Sequence, residues 1–105
     1  MIARLWRGIA FSEKAKSYVE HLQRSVLPEL YQIDGFRGVY VMKRDLDVGV
    51  EFTVQTLWES MNAIRKFAGE NVEAAVVALA AQPLFREYES TAIHYEIVLH
   101  SEGGK

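Results

Sequence analysis

VEFTVQTLWESMNAIRKFAG, residues 50–69, decides the fold. Its first half alternates: Phe52, Val54, Thr56 and Trp58 fall on one face of an extended strand, Glu51, Thr53 and Gln55 on the other. Its second half switches to helical spacing. Ser60 is placed to cap a helix whose buried stripe is Met61, Ile64, Phe67 and Ala68, and Gly69 is placed to end it. A strand that runs into a helix with almost no loop sets a large aromatic, Trp58, at the mouth between sheet and helix. Small α+β domains often keep a pocket there.

Working outward, residues 2–10 alternate and are rich in β-formers, which predicts a first strand. Ser12 is a candidate N-cap for a helix carrying Ala15, Tyr18, Val19, Leu22 and Val26, with Pro28 expected to kink or end it. Asp34-Gly35 is a break. Residues 38–44 read as a second strand, joined through a hairpin at 45–49 to the strand of the opening stretch. After Gly69, Asn71 can cap a further helix bearing Val72, Ala75, Val76 and Leu79, closed by Pro83. Residues 84–90 are ambiguous, and 91–99 form a β-rich last strand. Residues 1–99 make one domain, with 100–105 a loose tail.

The order strand, helix, hairpin, helix, strand, with right-handed crossovers, gives an α+β fold. It is a ferredoxin-like βαββαβ chain with a four-stranded antiparallel sheet and its helices on one face. The other face should be polar, yet Tyr40 and Met42 lie opposite Val39 and Val41, and Ile93, Tyr95, Ile97 and Leu99 opposite His94, Glu96 and Val98. A second copy packed sheet against sheet would cover these residues, so a homodimer is expected.

Composition narrows the chemistry. The chain has 105 residues, half of them hydrophobic, and no cysteine. That excludes disulfides, thiolate metal sites and cysteine nucleophiles, and suits a reducing cytoplasm. A net charge of −2 offers no general attraction to nucleic acid or to anionic membranes. Arg4 and Arg7 interrupt the apolar start, which does not read as a signal peptide or membrane span. Three histidines without close helical pairing make no metal site, and the glycines match no phosphate-binding loop.

MIARLWRG at the start, DGFRGVYVMKR in the middle, FTVQTLWESMNAIRKFAGE and the terminal TAIHYEIV together resemble the antibiotic biosynthesis monooxygenase superfamily. The resemblance covers about residues 1–99, and the strand–Trp–Glu–Ser–helix passage is its most specific part. It implies a ferredoxin-like protomer, a dimeric α+β barrel joined through the sheets, and a pocket between sheet and helices. It also implies oxidation of quinol- or anthrone-type aromatics by molecular oxygen without added cofactor. Another branch degrades haem, using a Trp in the helix after the motif and a haem-ligating His about three turns on. Here Phe67 stands at the Trp position, residues 72–79 contain no His, and Trp6 and Arg7 stand near where that branch has an Asn. These departures argue against haem.

Cofactor-free oxygenation needs a group that takes or steadies a proton and a dry aromatic cavity. His94, beside Tyr95 and facing with Glu96, is the expected catalytic imidazole; the alternative is a histidine satisfied at the dimer seam or sheet edge. Trp58, Trp6, Tyr40 and Tyr95 are the expected substrate-binding aromatics, each of which is equally at home as a packed or half-buried residue. Arg7 is expected to hold an enolate or carboxylate, against the alternative of pairing with Glu96 or Glu51. His21 reads as surface. Two functions remain: a cofactor-independent monooxygenase on a small aromatic or polyketide-like molecule, or a non-catalytic dimeric module that binds a hydrophobic small molecule or serves in stress.

Overall fold

A computed structural model describes residues 1–104. Five strands form one antiparallel sheet: β1 (Ile2–Ala10), β2 (Phe36–Leu46), β3 (Gly49–Trp58), β4 (Phe85–Tyr88) and β5 (Ile93–Glu96). The order is β2-β3-β1, with β4 and β5 both paired to the far edge of β1. β1 is the central strand, matched residue for residue to β3 from Ile2↔Trp58 to Ala10↔Val50. β2 and β3 are joined by a tight hairpin closing at Leu46↔Gly49. Gly49 has φ +152°, and a Cβ there would meet the Ala10 carbonyl, so only glycine brings the hairpin this close to β1.

The architecture is the ferredoxin-like one, with one difference: the fourth strand position is filled by two short strands. β4 pairs with Gly8–Ala10 of β1 and β5 with its start, Ile2↔Glu96 to Leu5↔Ile93. Between them the chain leaves the sheet to pair with residues 73–75. The Ala92 amide donates to the Glu73 carbonyl and the Ala75 amide to the Ser90 carbonyl, with a bridge at Ala74↔Thr91.

That pairing also removes the helix expected from Asn71 onward. Residues 70–80 are turns and irregular chain. The carbonyls of Val72 and Ala74 accept from the Arg4 side chain, so backbone groups that a helix would use internally are already engaged. Pro83 sits in a 3₁₀ turn (Gln82–Leu84) instead of closing a helix.

The first helical run covers residues 12–31. It opens with a 3₁₀ turn (Ser12–Lys14), where Ser12 supplies no side-chain cap. α1 (Ala15–His21) then passes through a π turn (Leu22–Val26) into α2 (Leu27–Tyr31). Pro28 falls in the first turn of α2, and the helix neither ends nor breaks there. The wider π turn just before it lets residues spaced by four, Tyr18, Leu22, Val26 and Leu30, stay on the sheet-facing side instead of drifting round it. α3 (Met61–Ala68) matches expectation: Ser60 Oγ accepts the Ala63 amide at 3.2 Å, and Gly69, at φ +84°, ends the helix.

The core lies between the helices and the inner sheet face in two clusters. Tyr18, Leu22, Phe52 and Phe85 centre the first, and Leu30, Trp58, Ala63 and Ile64 the second. The outer sheet face carries exposed Tyr40, Met42, Ile93 and Tyr95. Among the described residues, no helix is long and apolar enough to cross a membrane.

Trp58 is fully buried, and its indole N–H reaches Thr56 Oγ1 at 2.8 Å. Trp58→Ala should therefore cost about 3–5 kcal/mol, measured by urea unfolding. An unchanged midpoint would contradict a core role.

Candidate functional site

The strand–helix architecture leaves a cavity of about 310 Å³ between the inner face of β1–β3 and the first helical run, walled on the third side by residues 76–81. The sheet contributes Arg4, Trp6, Val54 and Thr56, β2 adds Val39 and Val41, and α3 adds Phe67. The helical run presents Tyr18, His21, Leu22 and Val26 among others. The volume falls at the lower end of small-molecule sites, and the apolar lining with a few polar groups is typical of them.

Of the four aromatics expected to bind substrate (Trp58, Trp6, Tyr40 and Tyr95), Trp6 lines the cavity. Its ring meets Phe85 edge-on at 5.4 Å, and its N–H donates to the Glu89 carbonyl at 2.7 Å, which fixes the indole plane. Trp58 is one layer deeper and packs the core. Tyr40 and Tyr95 project from the opposite, outer face, as their pairing with Gln55 and Ala3 requires. Arg7 is on that outer face too. It contacts Glu89 at 3.1 Å and Glu51 at 3.8 Å, so it pairs across strands and does not reach the cavity.

His94 is on the inner face, opposite Arg4, but it meets the cavity only through Arg4. Its Nε2 is 2.8 Å from Arg4 Nη1. A guanidinium has no acceptor, so Nε2 accepts and the ring is neutral with its proton on Nδ1. Burial, and then the neighbouring Arg4 charge, pull the His94 pKa below its ordinary value, against a smaller opposing effect from Glu73.

Arg4, His21, Tyr18 and Phe67 are the lining residues whose part in the site local sequence patterns left open. Arg4 is buried, only 4% exposed. It donates to the Val72 carbonyl from Nη1 and to the Ala74 carbonyl at 2.8 Å from Nη2, and lies 5.8 Å over the Phe67 ring. Loss of solvent lowers its pKa. Burial pushes the Tyr18 phenol up, so it remains a neutral donor. His21 is half-buried and stacks on Tyr18 at 6.5 Å; its spacing of three from Tyr18 was the available signal.

No known family profile matches the chain, and no curated protein does. Among solved structures, a candidate antibiotic biosynthesis monooxygenase from Bacillus cereus superposes with a TM-score of 0.67 at 16% identity, covering 97% of each chain. The haem-degrader MhuD of Mycobacterium tuberculosis, with two haems in its active site, gives 0.62 at 19% identity, over 97% of this chain and 100% of its own. The monooxygenase ActVA-Orf6 of Streptomyces coelicolor, bound to nanaomycin D, gives 0.54 at 16%, over 95% and 91%. This chain therefore has the fold of the antibiotic biosynthesis monooxygenase-type proteins.

The haem-bound neighbour bears against the expectation that the chain needs no cofactor. Haem takes an axial side chain such as His or Tyr. The wall at residues 76–81 presents Val76, Val77, Ala78 and Ala81 to the cavity and no such group. On the helix side, Tyr18 is held protonated by burial and His21 is the one lining imidazole. Among the described residues no cluster of three metal-ligating side chains exists. His21 is therefore the lining side chain that could serve as an axial ligand.

A depressed histidine pKa means that the unfolded chain binds a proton more readily than the folded one. Stability from the neutral His94 is then fully present above about pH 6.5 and is lost as pH falls through the lower folded value. Urea unfolding across pH 7.5 to 5 should show this loss, and His94→Gln should flatten it. An identical slope in both proteins would contradict the assignment.

Proposed function

We propose that this chain is a cofactor-independent monooxygenase of the antibiotic biosynthesis type, acting on a flat quinol- or anthrone-like aromatic held in the cavity beside Trp6. The observation that carries the reading is the cavity itself: aromatic, mostly apolar, bounded by three elements, and edged by an imidazole and a guanidinium. The solved neighbour holding nanaomycin D on the same fold supports it.

The chemistry asks little of the protein. An anthrone methylene gives up a proton, and the resulting electron-rich carbanion reduces oxygen directly. One oxygen atom becomes the new carbonyl, and the other leaves as water with the two hydrogens of the methylene. No external reductant enters the balance. A dry cavity protects the carbanion and the peroxide formed from it. His21, which lines the cavity, is the first candidate to take the proton. His94 acts behind it by holding Arg4.

The exposed apolar outer face supports a homodimer joined sheet to sheet; a single-chain mass in sedimentation would contradict that part. The alternative function, a non-catalytic binding module, is favoured by one observation: His94, the expected catalytic imidazole, has its Nε2 already engaged by Arg4.

Oxygen uptake with anthrone or 1,4-dihydroxynaphthalene, in protein free of haem absorbance, tests the reading. Turnover is expected, falling about 10²–10⁴-fold in His21→Ala, the usual contribution of a general base. His94→Ala should lose less, and His94→Gln, which keeps an acceptor for Arg4, should recover part. No uptake with a bound aromatic ligand would favour the binding module.

A further inference from the structure

Arg4 is a buried cation without a carboxylate. It is only 4% exposed, and no ion pair among the described residues includes it. Its partners are two carbonyls, a neutral imidazole nitrogen and an aromatic face. These offset part of the cost of removing a guanidinium from water, but none carries a negative charge. Three of its five N–H groups are used, which leaves Nε–H and one Nη2–H without a protein acceptor among the described residues. The same side chain lines a cavity whose other walls are mostly apolar.

We propose that Arg4 is the counter-ion for an anionic oxygen on the ligand, a carboxylate or an ionised phenol carried by a flat apolar body. This rests on the cavity being the binding site, and it names the substrate class and the residue that selects it. A planar guanidinium with two free N–H groups suits a delocalised oxyanion, which can accept from more than one donor. The low polarity of the surrounding walls strengthens the attraction over its value in water. Trp6, Tyr18 and Phe67 take the aromatic body, and discrimination against neutral analogues comes from Arg4. Arg7, the cation first suggested by the sequence, is on the outer face with Glu51 and Glu89 and takes no part.

Calorimetric titration with two matched pairs tests this: 2-naphthoate against 2-naphthamide, and 4-nitrophenolate against 4-nitroanisole. At least one anion should bind about tenfold or more tighter than its neutral partner, the scale of a charge-assisted hydrogen bond. The pair that discriminates tells carboxylate from phenolate. Arg4→Met should bring the ratio of anion to neutral affinity to about one, whatever the loss of the wall contacts costs both ligands. Where Arg4→Met does not fold, Arg4→Lys keeps the charge and should retain part of the preference, and the wild-type ratio decides alone. Equal binding of both members in both pairs overturns this inference and leaves the cavity reading standing. No binding by any of the four overturns both.

Discussion

The buried guanidinium of Arg4 ties the irregular segment 70–80 to the sheet. It projects from the central strand toward the helices and collects the carbonyls of Val72 and Ala74. Those contacts, with the pairing of residues 73–75 to 90–92, turn a segment without regular structure into one wall of a cavity. Without them the backbone polar groups of residues 72–75 would need water, and a wet wall would not enclose an apolar space. His94 completes the arrangement by accepting from the same guanidinium, which keeps its own ring neutral.

Structural and functional demands meet on this one residue. A guanidinium is not required merely to hold two carbonyls; a neutral donor would do so at less desolvation cost. Retaining the charge in a mostly apolar cavity makes sense when something negative visits it. The π turn in the first helical run contributes in the same sense, since it keeps Tyr18, Leu22, Val26 and Leu30 aligned along the cavity. π turns often occur where a helix serves a site.

The parts legible in sequence are those governed by local pattern. The alternation in residues 50–58, the Ser60 cap and the Gly69 stop define β3 and α3 as found, and the Asp34-Gly35 break and the 45–49 hairpin hold within a residue or two. The 70–80 segment misled because its apolar spacing is helical while its backbone partners lie elsewhere: Arg4 is 68 residues from Val72. Splitting of the last strand has the same cause. For the site, Trp6, one of the expected substrate-binding aromatics, lines the cavity. Tyr40, Tyr95 and Arg7 were assigned by residue type although alternation already set Tyr40 and Tyr95 on the face away from Val39, Val41 and His94, and the register puts all three on the outer face. His21 read as surface because it falls outside the apolar stripe of Ala15, Tyr18, Val19, Leu22 and Val26, and that spacing gives no hint of a cavity beside it.

Amide hydrogen exchange followed by NMR in wild type and Arg4→Met is the most direct test of this dependence. The account predicts that the Ala75 and Ala92 amides, which bond to the Ser90 and Glu73 carbonyls, lose protection in the variant while amides pairing β2 with β3 keep theirs. Unchanged protection at Ala75 and Ala92 would contradict it, since the wall would then stand without the buried cation.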